Sequence, residues 1–284
     1  MPAHRSPKSR PKPRTVVEPA AVSTRRGVHR ARRSSLEKMI EILDLFGEGG
    51  LQWTPEAMMN RLGCPRSTLY RYLKVLADAG LVTSLPGIGY TLGPRIAELD
   101  FEMRSGDPMI ANGRPLLQAL THEVPGVGLL CRYYRNRVLC VHQESSAEEF
   151  RSGYERGRPM PLARGSASRV ILAGLRLPQL RKLYETQGSE FSDVGLGSSF
   201  AAVQEHLSAI RRQGHCISRG EVTPGVVGIA APVFDGEDAV VGSLSITVWE
   251  SGLAERRIAF IVDRVKFSAK VLGNAMRRRP DAGS

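Results

Sequence analysis

Residues 54–93, TPEAMMNRLGCPRSTLYRYLKVLADAGLVTSLPGIGYTLG, combine two short helix patterns, a tight turn and a glycine-rich hairpin. Thr54 followed by Pro55 is typical of a helix N-terminus, and Gly63 can adopt the left-handed conformation that ends a helix. Only two residues separate this helix from the next, which we expect to begin at Pro65. Because so short a connection forces two helices to cross sharply, the stretch predicts a helix-turn-helix.

The second helix of this pair has two faces that differ in chemistry. Its apolar stripe, at helical spacing, comprises Leu69, Tyr72, Leu73 and Leu76. The opposite side and the helix start carry hydrogen-bonding or cationic groups, namely Arg66, Ser67, Thr68, Tyr70, Arg71 and Lys74. Such groups resemble those that contact base edges and phosphates when a helix enters the major groove. An ordinary solvated helix surface is the alternative.

Two short β-rich runs, LVTS and YTLG, flank the turn LPGIG and predict a wing with Ile88 near its tip. Gly87 and Gly89 form a GxG pattern, but no βαβ context surrounds it, which disfavours a nucleotide-binding loop. A helix-turn-helix, a wing and a polar helix face together indicate that the partner is double-stranded DNA.

A further helix is predicted upstream, in SLEKMIEILDLFGEGG. Ser35 is the expected N-cap and Gly47 the expected stop. The apolar residues expected to face the core are Leu36, Met39, Ile40, Leu43 and Phe46.

The chain has 284 residues, enough for about two domains, and no apolar run approaches the ~18 residues that cross a bilayer. The basic N-terminal segment lacks the apolar centre of a secretory signal, so we expect a cytoplasmic protein with no membrane partner. Four scattered cysteines are expected to be reduced. A metal held jointly by Cys140, His142, His215 and Cys216 is an alternative that matches no known zinc spacing.

The net charge of +12 is concentrated at the N-terminus, where residues 1–33 hold ten Lys or Arg and a single acid, Glu18. This segment is rich in Pro and Ser and lacks apolar periodicity, so residues 1–34 are expected to form a basic arm that is disordered when free. Such an arm would add salt-sensitive phosphate contacts to the DNA-binding module. A solubilising extension is the alternative.

The rest of the chain mixes helices with hairpin-like strands and lacks strict βαβ alternation, which predicts an antiparallel α+β domain. A hairpin is expected around Arg135 and Asn136, and three strands in HCISR, GVVGIAAPVFD and AVVGSLSITVW. The expected organisation is an arm at 1–34, a winged helix-turn-helix at 35–96, a linker helix region at 97–112, an effector-binding domain at 113–276 and a tail at 277–284.

Ser166 lies in ARGSAS, immediately before an apolar helix. Free N–H groups there, together with the Ser166 hydroxyl, would suit a small anion, and simple N-capping by Ser166 is the alternative. The GxSxG pattern is not met. A hydrolase using Ser166 with His142 or His215 remains a rival hypothesis. An RNA-binding module is disfavoured because the aromatic stacking platforms of single-strand readers are missing.

These motifs together resemble the IclR family of bacterial transcriptional regulators over roughly residues 35–276. The resemblance rests on STLYRYLKVLADAGLV and MPLARGSASRVILAGL, and most specifically on GHCISRGEVTPGVVGIAAPVFDGEDAVVGSLSIT. It implies a winged helix-turn-helix joined to a GAF-like mixed α/β effector domain, with no catalytic activity, cofactor or metal. It also implies a homodimer or a dimer of dimers that binds palindromic operator DNA.

The resemblance further implies a small effector, often an aromatic or aliphatic carboxylic acid. The pocket residues that it implies are Ser166, Ala167, Glu221, Val226, Gly228, Ser245 and Thr247. Hydroxyls and amides among small residues suit a carboxylate. The sequence departs from the family pattern at Arg164, where small residues or His are common, and at Gly228, where some members carry a larger side chain.

Overall fold

The computed structural model of the protein describes residues 34–48, 50–146 and 155–277. The expected basic arm, apart from Ser34, and most of the expected C-terminal tail lie outside these ranges. The chain divides into two compact units whose boundary falls between Asp107 and Pro108, within the segment 97–112. We call them the N-terminal unit and the C-terminal unit.

The N-terminal unit is helical with a two-stranded hairpin. Its elements are α1 (Ser35–Glu48), α2 (Pro55–Leu62), α3 (Arg66–Asp78), β1 (Val82–Leu85), β2 (Gly89–Leu92) and α4 (Arg95–Gly106). Its small core is formed by Ile42, Leu45, Phe46, Met58, Leu69, Tyr72, Leu73, Leu76 and Val82. The α3 stripe that the spacing predicted is thus buried, and β1 pairs antiparallel with β2.

The boundaries of α2 follow the predicted caps. The Thr54 hydroxyl accepts the Ala57 N–H at 3.2 Å, and Gly63 ends the helix in the left-handed conformation at φ 61°. The start of α3 differs slightly from the prediction. Pro65 is the extended N-cap residue, so the helix begins at Arg66.

Helix α1 differs from the prediction in three respects. Ser34, and not Ser35, caps it, since its hydroxyl accepts the Glu37 N–H while the Glu37 carboxylate accepts the Ser34 N–H. Gly47 does not stop the helix, which continues to Glu48. The buried side is centred on Ile42, and the expected core residues Leu36 and Ile40 are 70% and 55% exposed.

The C-terminal unit is a six-stranded antiparallel sheet with helices on both faces. Its strands are β3 (Val127–Tyr134), β4 (Arg137–Ser145), β5 (Pro159–Met160), β6 (Cys216–Arg219), β7 (Val226–Phe234) and β8 (Val240–Trp249). Its helices are α5 (Pro108–Glu123), α6 (Ser166–Gly174), α7 (Leu177–Asp193), α8 (Phe200–Gln213) and α9 (Glu255–Arg277). The strand order is β5-β4-β3-β8-β7-β6.

Side chains along each strand point alternately to the two faces of the sheet, so the core of this unit has two parts. One face packs against α6, α7 and α8, and the other against α5 and α9. The β3–β4 turn falls at Arg135 and Asn136, both with positive φ, as predicted for the hairpin. The antiparallel α+β prediction is confirmed, whereas the two-residue strand β5 was not foreseen. Across the described ranges, every helix is too short or too polar to span a bilayer.

Candidate DNA-binding and effector-binding sites

Helix α3 presents a continuous polar surface, which we call the recognition face: Arg66, Ser67, Thr68, Tyr70, Arg71 and Lys74. Thr68 is half-buried and the other five side chains are exposed. The opposite side of the same helix is anchored in the core by Leu69 and Leu73, which are 0% and 1% exposed. A rigidly held helix therefore displays the residues that the spacing singled out.

Two of the three cations on this face lie over aromatic rings, and within the described ranges none of the three has a carboxylate partner. The Arg66 guanidinium lies 5.4 Å from the centre of the Tyr70 ring, and that of Arg71 lies 5.4 Å from the Tyr72 ring. Stacking on a ring orders a guanidinium without neutralising it. Arg66 and Arg71 are thus oriented and still charged.

The wing is fixed to the rest of the N-terminal unit by Trp53. Trp53 and Tyr90 exchange backbone hydrogen bonds of 2.9 and 2.8 Å, and the Trp53 indole N–H donates to the Leu45 carbonyl at 3.1 Å. A side chain at Gly89 would place its Cβ 2.5 Å from the Trp53 carbonyl oxygen. Ile88, at the tip, is 47% exposed.

In the C-terminal unit, small and hydroxyl residues meet on the sheet face that packs against α6. Ser245 is paired with Leu129 and Ala230, both of which belong to the core on that side. Since cross-strand partners share a face, Ser245 also points there, as does Thr247 beside Gly228. We call this surface the ligand face.

Helix α6 approaches the ligand face closely at Gly228. A Cβ at this position would lie 2.8 Å from the Ser166 hydroxyl oxygen and 3.0 Å from that of Ser218. The first distance is shorter than real contacts of a Cβ atom and the second is tight, so a larger residue would displace these hydroxyls and glycine suits the close approach. The structure therefore brings together Ser166, Gly228 and Thr247, which the family resemblance grouped. It places Ala167 and Val226 in the adjoining core.

The start of α6 differs from both sequence-based interpretations. Ser166 is 4% exposed, and its N–H donates to the Ser218 hydroxyl at 3.0 Å. The Gly165 N–H donates to the Glu221 carboxylate at 3.0 Å. These two N–H groups are therefore not free, and the N-cap residue is Gly165, which makes no side-chain cap. The anion at this helix end is thus the carboxylate of Glu221, a group of the protein itself.

Glu221 links three parts of the C-terminal unit. Besides Gly165, its carboxylate binds the Arg169 guanidinium at 2.8 Å, with the two side chains 25% and 11% exposed. The Arg169 Nε–H also donates to the Ala163 carbonyl at 3.3 Å. This ion pair holds the segment after β6 against the first turn of α6.

Ser245 carries a hydroxyl with no hydrogen-bond partner within the described residues, although the side chain is only 2% exposed. A buried hydroxyl without a partner costs about 1–3 kcal/mol, so proteins seldom retain one. A ligand oxygen on the ligand face would satisfy it. Nothing in the sequence marked Ser245 as unpaired, since that depends on its neighbours in the sheet.

Two rival arrangements are not supported by the geometry. The proposed metal ligands are split between β4, which carries Cys140 and His142, and the edge strand β6, which carries Cys216, with three other strands between the two. No cluster of metal-binding side chains occurs in the described ranges. His142 is the register partner of Leu130, which packs on the face of the sheet opposite to Ser166, and its ring contacts Glu144 at 2.9 Å. The His215 ring contacts the Gln213 carbonyl.

A separate open groove of about 470 Å³ lies between β7 and the C-terminal half of α9. Lys266, Phe267 and Lys270 contribute to its wall, and it contains none of the residues expected to bind an effector. Those residues belong to the opposite face of the sheet.

The fold and these sites define a class of protein: a winged-helix DNA-binding unit joined to a unit with a candidate small-molecule site. Comparison of the sequence with known protein families agrees with this class. The family described as "Bacterial transcriptional regulator IclR C-terminal" matches residues 105–273, and the "IclR helix-turn-helix domain" matches residues 35–86. The chain belongs to the IclR family, whose members are transcriptional regulators and not enzymes.

Individual relatives agree with this assignment. The HTH-type transcriptional regulator BhcR of Paracoccus denitrificans is 31% identical over 257 residues, 88% of this chain and 89% of that protein. An IclR-family regulator from Brucella abortus shares the fold with TM-score 0.68 at 19% identity, covering 87% and 94% of the two chains. An IclR homologue from Microbacterium hydrocarbonoxydans, complexed with 4-hydroxybenzoate, gives TM-score 0.67 at 20% identity, covering 86% and 99%.

Proposed function

We propose that this regulator binds operator DNA through the recognition face and the wing, and that a small carboxylic acid on the ligand face controls that binding. The observation that carries the DNA half is the exposed, uncompensated charge of Arg71 and Lys74 on a helix whose other side is fully buried. Such a helix can enter the major groove without unfolding.

The effector half rests mainly on the unpaired hydroxyl of Ser245. Around it the face carries small side chains, with Gly228 and Thr247 on the neighbouring positions. Hydroxyls donate to carboxylate oxygens, and the low-polarity surroundings suit an aromatic or short aliphatic body. The bound 4-hydroxybenzoate of the Microbacterium homologue is an acid of this kind.

A dimer is part of the proposal, as a homodimer or a dimer of dimers. Exposed apolar side chains on α1 and α4 support it: Leu36, Ile40, Leu99, Phe101 and Met103. Helix α4 buries no residue of its own in the described chain, so a second copy could cover its apolar side. Two winged helices related by symmetry would read half-sites about one DNA turn, ~34 Å, apart. A cytoplasmic location, where the DNA lies, is part of the same proposal.

The DNA half is tested by selecting genomic fragments with the full chain and measuring duplex affinity for a variant with Arg71→Ala and Lys74→Ala. We expect a loss of at least about tenfold, since each contact is worth ~1–3 kcal/mol if it reads a base. A charge-matched control, Lys182→Ala with Lys270→Ala, removes two exposed cations from the C-terminal unit. Equal affinity for the two double variants would refute the docking.

The effector half is tested by thermal melting of the full chain with aromatic and short aliphatic carboxylic acids, in the parent and in Ser245→Ala. The substitution removes a buried unpaired hydroxyl, so the unliganded variant should melt no lower than the parent. The ligand-induced rise should shrink in the variant. If the ligand raises the melting temperature of Ser245→Ala as much as that of the parent, the acid does not bind at Ser245. The variant Lys270→Ala then tests whether it binds in the open groove.

A further inference from the structure

Two cysteines that the function does not use lie directly opposite each other in the C-terminal sheet. Cys131 on β3 is the register partner of Cys140 on β4, and both are fully buried. The Cys140 N–H donates to the Arg158 carbonyl, and the Cys140 carbonyl accepts the Gly157 N–H. Because its backbone groups point away from β3, Cys140 faces Cys131 as a non-hydrogen-bonded pair.

That kind of pair has the spacing of a cross-strand disulfide. In antiparallel ladders the Cα atoms of non-hydrogen-bonded partners are ~4.5 Å apart, with side chains closest together. Disulfides need Cα separations of roughly 4.4 to 6.8 Å. A β-bulge between Leu130 and Cys131 adds local freedom at the same point. The two sulfurs can therefore be joined without moving the strands apart.

The chemistry around the pair favours reaction at one of its sulfurs. The hydrogen bond between the two thiols lowers the pKa of Cys140 and raises the pKa of Cys131. The positive charge of Arg156 also lowers the pKa of Cys140. The Met160 thioether lies 3.0 Å from the Cys131 sulfur, which completes a cluster of three sulfur atoms. Cys140 is thus the sulfur that ionises first.

We propose that Cys131 and Cys140 form a peroxide-oxidisable pair within the ligand-binding unit, and that their disulfide weakens effector binding. The Cys140 thiol first gives up its proton, and the thiolate then attacks hydrogen peroxide. The O–O bond breaks, Cys140 becomes a sulfenic acid, and the hydroxide that leaves takes up the thiol proton to form water. The Cys131 thiol then attacks that sulfur, the S–O bond breaks, and a second water leaves. Two electrons from the sulfurs reduce one peroxide. Disulfides in reducing compartments are typically of this transient, sensing kind.

Access to the buried pair is through the weakest strand of the sheet. Strand β5 has two residues, lies at the sheet edge and includes Pro159, which has no N–H to donate. Its other residue, Met160, covers Cys131. Short edge elements with few hydrogen bonds open locally without global unfolding. Oxidation should therefore be slow but should occur in the folded chain.

We expect the disulfide to weaken effector binding because it lies close to Ser245 in the sheet, an expectation that rests on the function proposed above. Cys131 lies two residues from Leu129, the register partner of Ser245, and its own partner on β8 is Ser243. A crosslink here pulls the β3–β4 side chains of the ligand face together. We expect the apparent Kd for the acid to rise at least about fivefold on oxidation, the lower end of ordinary coupling between sites.

The crosslink is tested in the full folded chain by treatment with hydrogen peroxide, alkylation and tryptic digestion without reduction. The sequence places Cys131 in the fragment 105–132 and Cys140 in the fragment 138–151, so the disulfide joins two separate peptides. We expect the joined mass, less two hydrogens, to disappear on reduction and in Cys131→Ala or Cys140→Ala. No such species in the folded parent would overturn the proposal.

Cys216→Ala is the matched control. Cys216 is also buried but lies on β6, three strands from β3 and so ~14 Å away, too far to bridge. This variant should retain the crosslink, and its loss would contradict the assignment. Titration of the acid into the oxidised and the reduced parent, with Cys140→Ala alongside, tests whether the disulfide weakens effector binding. An unchanged Kd in the crosslinked parent would overturn that part of the proposal. If no acid binds the reduced chain, the proposed effector fails while the crosslink result stands.

Discussion

The guanidinium of Arg169 lies 2.8 Å from the carboxylate of Glu221, and the same carboxylate accepts the Gly165 N–H. Arg169 is on the first turns of α6, whereas Glu221 follows β6. The pair therefore fixes the helix start to the sheet edge next to the ligand face. An anion is stabilised at this position by the helix N-terminus as well as by the guanidinium.

Replacing Glu221 by Gln should loosen this junction without changing its size. The neutral amide leaves the largely buried Arg169 guanidinium without its charged partner, at a cost of about 1–2 kcal/mol. Hydrogen exchange of peptides from α6 and β6 should rise accordingly in the full chain. Glu250→Gln is the control, because its pair with Arg219 is about 40% exposed on both sides and should cost less than ~1 kcal/mol. Equal protection in the two variants would contradict this role.

Gly228→Ala should destabilise the C-terminal unit. The added methyl group would crowd the Ser166 hydroxyl and the Ser218 hydroxyl, which accepts the Ser166 N–H at the start of α6, at a cost of about 1–3 kcal/mol. Thermal melting of the full chain measures the loss. In Gly236→Ala the nearest atoms would be 3.7 Å away, an ordinary contact, so that variant should melt close to the parent.

Two glycines of the wing should respond differently to the same substitution. Gly89→Ala places a methyl group 2.5 Å from the Trp53 carbonyl and should detach the wing from its anchor. Gly87→Ala meets no atom within 4 Å and carries only the strain of a positive φ, about 1 kcal/mol. Exchange at the Tyr90 amide should therefore accelerate far more in Gly89→Ala. Similar rates in both variants would show that the Trp53 contact does not hold the wing.

Burial of Cys216 predicts a loss of stability at alkaline pH. Desolvation raises the pKa of this thiol to about 11, above its ordinary value of 9.0. The folded state thus keeps a proton that the unfolded state releases, so this stability is present below pH 9 and is lost as pH rises through 11. Between pH 9 and 11 the free energy of unfolding of the parent should fall by about 2–3 kcal/mol relative to that of Cys216→Ala. Parallel pH profiles would contradict it.

Much of the fold could be predicted because its signals are local. The α3 stripe, the caps at Thr54 and Gly63 and the hairpin at Arg135 and Asn136 each depend on residues a few positions apart. The start of α1 was predictable too: Glu37 is three residues after Ser34, the spacing of a capping box, and this points to Ser34 over Ser35. Apolar residues on several sides of α1 left its buried face ambiguous.

The features that were missed depend on contacts between distant segments. The caps on α6 come from Ser218 and Glu221, more than fifty residues away. The pairing of Cys131 with Cys140 depends on a bulge that shifts the β3–β4 register. Strand β5 has two residues, too few for any periodicity. Local patterns therefore predicted which side of α3 is buried and which is accessible, while the contacts of the ligand face depend on the register of the sheet.

A ligand in the C-terminal unit is proposed to control DNA binding by the N-terminal unit. The most direct measurement is the Kd of the full chain for a genomically selected duplex, with and without a saturating acid that raises its melting temperature. We predict at least about a fivefold change in Kd in the parent and a much smaller one in Ser245→Ala. An acid that binds the chain but leaves the duplex Kd unchanged would contradict the account.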